Sequence, residues 1–159
     1  MSDSVTVTTR VAVDPVTAFR VFTDDVDRWW KRGARWRFGD ERDGTLAFES
    51  TGDERALVET YADRSRYVVG RVTTWSPGER LAFEFRGREL AGDERTLVEV
   101  HFDEEEGDTR VTLVHRGWDS LPPDHPARRG LVGGSFRAAI GGWWSMHLVG
   151  FGSTVAARS

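Results

Sequence analysis

From Thr96 to Trp118 the chain alternates apolar and polar positions in two runs about an acidic turn. Val98, Val100 and Phe102 alternate with Glu99 and His101. Beyond the turn centred on Gly107, Thr109, Val111, Leu113 and His115 alternate with Arg110, Thr112 and Val114. A period of two predicts a β-hairpin with one apolar face. Successive strand side chains point to opposite faces, so His115 falls with Val111 and Leu113 while His101 falls with Glu99. A histidine that points inward near a strand end marks either a pocket lining or a core imidazole satisfied by its neighbours.

The same patterning divides the rest of the chain. Val5 to Val13 alternates as a strand, and Asp14-Pro15 then supplies an N-cap and a proline at the first helical position for a helix through about Thr23. A second short helix carries Val26, Trp29 and Trp30. From about Gly44 to His115 no helical period holds. Turn signals at Thr51-Gly52-Asp53, Ala62-Asp63-Arg64, Ser76-Pro77-Gly78 and Gly87 to Asp93 separate strands over 45–50, 55–61, 66–75, 80–86, 96–103 and 109–116. Leu121-Pro122-Pro123-Asp124 ends the sheet, and a long terminal helix begins after Pro126.

Ala138 to Ala157 holds no charged residue, but its glycines, Ser145, Thr154 and His147 make it a poor membrane span. At helical spacing Phe136, Ile140, Trp143, Trp144, His147 and Phe151 share one side, and Gly134, Ala138, Gly141, Ser145 and Gly152 share the other. Each interior glycine costs about 1 kcal/mol relative to alanine, so tertiary packing must hold this helix. The bulky side is expected on the sheet. The small side is expected either in solvent or against another helix in a homodimer.

Composition narrows the function classes. At 159 residues the chain is expected to form one domain spanning 1–159. A net charge of −4 with both signs interspersed offers no basic stripe for a phosphate backbone, so nucleic acid is not an expected partner. The absence of cysteine excludes disulfides, thiolate nucleophiles and cysteine-held metals. The polar start, MSDSVTVTTR, lacks a signal-peptide arrangement, which leaves a cytoplasmic location as the expectation. Lys31 is the only lysine, a habit of composition and not a binding signal.

A strand, two short helices, about six further antiparallel strands and one long closing helix make an α+β layout. This order resembles the helix-grip fold of the START/SRPBCC superfamily, the birch-pollen-allergen-like proteins, and in particular the branch of activator of heat-shock-protein ATPase homologues. The residues that carry the resemblance run from Asp14-Pro15 to Trp29-Trp30, through Gly70-Arg71-Val72 and Trp75 to Leu81, then Thr96 to Phe102, Thr109 to Trp118 and Gly142-Trp143. Ser76-Pro77-Gly78 departs from the acidic residue and two prolines common in relatives, which alters a turn and no chemistry. The resemblance implies a curved sheet of about seven strands wrapped around the terminal helix, with a cavity between them for a small, largely apolar molecule. The superfold hosts lipid carriers, cyclases, receptors, chaperone activators and self-sacrificing resistance proteins, so fold alone does not choose among them.

Seven tryptophans are a heavy load for this length. Trp29, Trp30, Trp75, Trp118 and Trp143 fall where such a cavity has walls or a mouth, with Phe83 beside them, while Trp144 with Leu148 and Phe151 reads as core. Glu59, Tyr61, His115 and His147 are the polar groups expected to orient a ligand. Glu59 shares a strand face with Leu57 and Tyr61 if it points inward, and a solvent-facing glutamate is the alternative. If His115 and His147 converge, they bind a polar ligand group or pass a proton. No nucleophile, calcium loop, phosphate cradle or metal-binding histidine pair is recognisable, and no cofactor is expected. The leading expectation is therefore a hydrophobic-ligand binding protein. A polyketide cyclase or dehydratase using the pocket histidine and glutamate is the first alternative, and a chaperone ATPase activator-like interaction module the second.

Overall fold

The computed structural model describes residues 4–30, 44–86, 90, 92–128 and 130–158. Its elements are β1 (Val5–Val11), α1 (Pro15–Asp24), α2 (Val26–Trp29), β2 (Thr45–Thr51), β3 (Glu54–Thr60), β4 (Arg66–Ser76), β5 (Arg80–Phe85), β6 (Thr96–Glu105), β7 (Asp108–Arg116) and α3 (Gly133–Arg158). Short 3-10 turns at Trp118–Ser120 and Pro126–Arg128 lie between β7 and α3. The strands form one sheet in the order β1-β7-β6-β5-β4-β3-β2, every neighbouring pair antiparallel. β2 to β7 are a meander of successive hairpins, and β1 closes the far edge beside β7.

The expected α+β architecture is therefore present, with small shifts. Trp30 is not helical but caps α2 in an extended conformation, its N–H bonded to the Val26 carbonyl. β6 runs to Glu105, two residues past its expected end. α3 starts at Gly133 because the segment after Pro126 first makes a 3-10 turn. The turn expected over 87–93 lies largely outside the described residues.

Local chemistry explains the helices. Asp14 accepts from the Thr17 amide and hydroxyl, which satisfies the first turn of α1, and Pro15 follows with its φ already helical. Ala18, Phe19, Val21 and Phe22 form the buried stripe of α1. The Thr23 hydroxyl donates back to the Phe19 carbonyl as the helix ends in two aspartates. α3 buries Phe136, Ile140, Trp143, Trp144, His147, Leu148, Phe151 and Val155. One buried Phe or Leu contributes roughly 1.5–3 kcal/mol. That outweighs the ~1 kcal/mol lost at one interior glycine, so packing holds a helix that local propensity does not. Arg158 at its C-terminal end is paired with Asp25, a buried carboxylate between α1 and α2, and this tie fixes the last turn against both short helices. The neighbouring carboxylate accordingly raises the Arg158 pKa, through hydrogen bonding first and charge second.

Much of the opposite side of α3 is exposed, although Gly141 is half-buried, its Cβ position 3.3 Å from the Val5 side chain of β1. Gly134, Ala138 and Ser145 are exposed, Met146 is 44 % exposed and Val149 70 %. Among the described residues no helix is long and apolar enough to cross a membrane.

Candidate functional site

The inner faces of β5 and β7, α2 and the bulky side of α3 converge on one cluster of rings. β7 alternation carries Val111, Leu113 and His115 inward, all fully buried. Gly117, at φ 95, then turns the chain sharply enough to bring Trp118 back over His115, with ring centroids 5.0 Å apart. From α3, Trp144 meets His115 at 5.9 Å and Phe136 meets Trp118 at 4.9 Å. From β5, Phe85 lies 5.0 Å from His115 and stacks on Trp30 at 6.2 Å with a 10° interplanar angle.

His147 occupies the other half of the cluster. Its ring is surrounded by Trp143 at 4.3 Å, Trp30 at 5.5 Å, Trp144 at 5.7 Å and Trp29 at 6.5 Å. Trp29 and Trp30 reach it because the single turn of α2 lies against α3. The Trp29 indole is fixed there by donating to the Phe22 carbonyl at 2.9 Å.

Hydrogen bonds settle the tautomer of each histidine. The Trp144 indole N–H donates to His115 Nδ1 at 2.9 Å, so Nδ1 is an acceptor and the proton sits on Nε2. Nε2–H then donates to Thr96 Oγ1 at 2.7 Å, and the Thr96 hydroxyl donates to the Phe85 carbonyl at 2.9 Å. Complete burial pulls the His115 pKa down to about 3, which keeps this chain intact in the neutral form. His115 therefore offers a ligand its ring and not a nitrogen. In His147, Nδ1 contacts the Trp143 carbonyl at 2.8 Å. A carbonyl only accepts, so Nδ1 holds the proton and Nε2 is the acceptor of the neutral ring. Among the described residues the two histidines do not touch in a ring contact. Each packs on Trp144, which separates them.

Glu59 is buried, on the inward face with Leu57 as the strand alternation requires, so the solvent-facing alternative does not hold. A register shift between Leu57 and Val58 lets Val58 be buried as well. Tyr61 donates its phenol to Glu59 Oε1 at 2.6 Å. Among the described residues this pair shares no ring contact with the tryptophans, so it forms a second polar locus near the start of β2, where Leu46 is its register partner. Removing the phenol oxygen withdraws a donor from a buried carboxylate. Tyr61→Phe is expected to cost about 1–3 kcal/mol of stability in urea denaturation, whereas Tyr67→Phe, whose phenol bonds a half-exposed carbonyl, is expected to cost less.

Of the residues expected to line a cavity, Trp29, Trp30, Phe83, His115, Trp118, Trp143 and His147 come together. Phe83 joins through Trp30 at 6.4 Å. Trp75 does not join them. It packs on Phe19 at 5.1 Å and Phe48 at 5.9 Å, with the Arg55 guanidinium 4.4 Å from its ring centroid. Three contributors, Phe85, Thr96 and Arg128, lay outside the sequence expectation, and Trp144, expected as core, is buried and joins the cluster. Phe85 and Trp144 complete the ring cluster, and Thr96 orients His115 from the neighbouring strand. Arg128 is buried, donates to the Trp118 carbonyl at 2.7 Å and lies over Phe136 at 5.0 Å. Thr96 could have been found by registering β6 on β7, since Val98 pairs with His115.

Most polar atoms in this interior are bonded. The Trp118 Nε1–H is one of the buried side-chain polar atoms with no hydrogen-bond partner among the described residues. A buried unpaired donor costs about 1–3 kcal/mol, which an acceptor brought to it would offset. The rings themselves are in mutual contact, and three grooves lined by described residues lie elsewhere: outside α3, beside Trp75, and on the convex sheet face around Arg71. Among the described residues no three His, Cys, Asp or Glu side chains are grouped to hold a metal ion.

The sequence pattern of the family described as "Activator of Hsp90 ATPase homolog 1-like protein" matches residues 12–147. No curated protein matches the chain. Among solved structures, protein MLL2253 from Mesorhizobium loti is 13 % identical with a TM-score of 0.65, the alignment covering 98 % of each chain. DynU16, a protein in the dynemicin biosynthetic locus, is 17 % identical with a TM-score of 0.63, covering 99 % of this chain and 48 % of its own. CalU16 from Micromonospora echinospora is 19 % identical with a TM-score of 0.51, covering 98 % and 77 %. At these identities the likenesses establish the fold alone.

Proposed function

The chain belongs to the activator of Hsp90 ATPase homolog 1-like family, and we propose that it binds a small, largely apolar molecule between the sheet and α3 without turning it over. The observation that carries this reading is the buried, unpartnered indole N–H of Trp118 at the edge of an aromatic cluster. A ligand with a flat apolar body and one acceptor oxygen satisfies that donor while its body packs on rings. Trp29, Trp30, Phe83, Trp143 and the ring faces of His115 and His147 supply the apolar wall. Glu59 and Tyr61 form a separate polar locus for a more distant ligand group. The rings stand 4.3–6.5 Å from their neighbours, so binding must part some of them. An enzyme reading draws less support, since both His115 nitrogens are occupied within the protein. We infer that any self-association would use the outer face of α3, where Met146 and Val149 are exposed.

Naphthol and naphthalene separate the donor from the wall. By calorimetry the protein is expected to bind naphthol about tenfold more tightly than naphthalene, the equivalent of one hydrogen bond at ~1.4 kcal/mol. Trp118→Phe, verified as folded by its melting curve, should bind the two equally. Absence of binding by both probes, or an unchanged preference for naphthol in the variant, contradicts the proposal.

A further inference from the structure

Trp75 was expected in the cavity wall, and its actual surroundings form a different kind of place. The end of α1, the middle of β2, the start of β3 and the end of β4 enclose an open groove of about 440 Å³, within the size range of small-molecule sites. Phe48 and Trp75 supply its apolar surface, Thr23 and Ser50 its hydroxyls, and Asp24 and Arg55 its charges.

The two charges face one groove from separate elements. Arg10, Arg66, Arg80, Arg95, Arg110, Arg116 and Arg158 each meet a carboxylate. Arg55 meets none among the described residues, and instead its guanidinium is held over the face of Trp75. That stack orients a planar fork of donors while leaving its edge available for a carboxylate. Asp24 is the last residue of α1, where a negative charge is disfavoured by the helix dipole. Its neighbour Asp25 takes the Arg158 pairing, and the Asp24 side chain makes no hydrogen bond or ion pair among the described residues, acting on Arg158 only through its charge at a distance. Opposite charges thus line one groove on separate elements without closing on each other.

We propose that this groove is a second binding site, for a small zwitterion whose carboxylate meets Arg55, whose ammonium meets Asp24 and whose apolar middle lies on Phe48 and Trp75. The site is independent of the sheet–α3 cluster, although the Phe48 ring reaches toward it through Phe83 at 5.6 Å. Asp24 at the negative end of α1 strengthens the ammonium subsite, since the helix C-terminal carbonyls favour a cation there.

The test uses para-aminomethylbenzoate, with benzoate and benzylamine as single-charge controls. The readout is the indole N–H NMR signal of Trp75, assigned by its loss in Trp75→Phe. The zwitterion is expected to shift that signal saturably and to bind at least tenfold more tightly than either control. Arg55→Gln is expected to weaken the zwitterion at least tenfold and leave benzylamine unchanged, and Asp24→Asn to weaken it while leaving benzoate unchanged. Both residues are exposed, so the variants should fold, as circular dichroism would verify. An unmoved Trp75 signal, equal affinity for all three probes, or a shift at Trp118 in place of Trp75 overturns the proposal. The last outcome would assign the ligand to the sheet–α3 cluster, and so leaves that separate reading standing.

Discussion

Gly70→Ala is expected to abolish the native fold. A Cβ at Gly70 would overlap the carbonyl oxygen and carbon of Glu84, backbone atoms of the adjoining strand that no rotamer change can move. Gly70 lies in β4 opposite Leu57 of β3, next to the point where the register between those strands shifts. On its other side the Arg86 amide bonds to the Val69 carbonyl at 2.9 Å, so β5 is drawn in close. Over-packing in a core costs about 1–3 kcal/mol when side chains can yield. Here the obstruction is main chain on a central strand, and the cost should exceed that range. Expression of the variant should yield insoluble protein or a chain without a cooperative urea transition. A soluble variant with an unchanged midpoint would mean that β4 and β5 stand further apart than described.

The second large effect belongs to His115. Replacing it with alanine removes a ring packed on Phe85, Trp118 and Trp144, and leaves the Trp144 indole N–H without its acceptor. Cavity formation and the orphaned donor together should cost about 3–5 kcal/mol. The pH dependence is more specific. In the unfolded chain the imidazole takes up a proton near its ordinary value of 6.5, whereas in the folded protein it stays neutral down to about 3. Between those values the unfolded state binds more protons, so this group destabilises the fold progressively as pH falls through that window, by about 1.4 kcal/mol per pH unit. Above the window its contribution is constant. The comparison is between urea midpoints of the wild type and His115→Asn measured across the window. The wild type should lose stability more steeply, and parallel pH profiles would show that His115 does not hold a depressed pKa.

How much of this was legible in the chain depended on whether the signal lay within one segment or between two. The β6–β7 hairpin, the inward direction of His115 and the bulky side of α3 all follow from periodicity within a segment, and each is as expected. Glu59 was ambiguous because its strand carries polar residues on both faces, and only the sheet shows that its side is covered. The partners of His115 were not legible. They require the β5–β6–β7 register, which sets Thr96 against Phe85 and Val98 against His115, together with the rotation of α3 that presents Trp144. Trp75 packs apart from the rings around His147 for a related reason. β4 is long and shifts register between Val72 and Thr74, so its far end serves α1 and β2 rather than the rings around His147. The turn expected at Ser76-Pro77-Gly78 is closed by the Glu79 amide on the Ser76 carbonyl at 2.9 Å.

Fluorine NMR of fluorotryptophan-labelled protein tests most directly whether an apolar ligand enters the ring cluster between sheet and α3, because the seven tryptophans report separately. On titration with naphthol, the resonances of Trp118, Trp30 and Trp143 should move together and saturate while that of Trp75 stays in place. A titration in which none of those three moves, or in which Trp75 alone responds, would contradict ligand entry into that cluster.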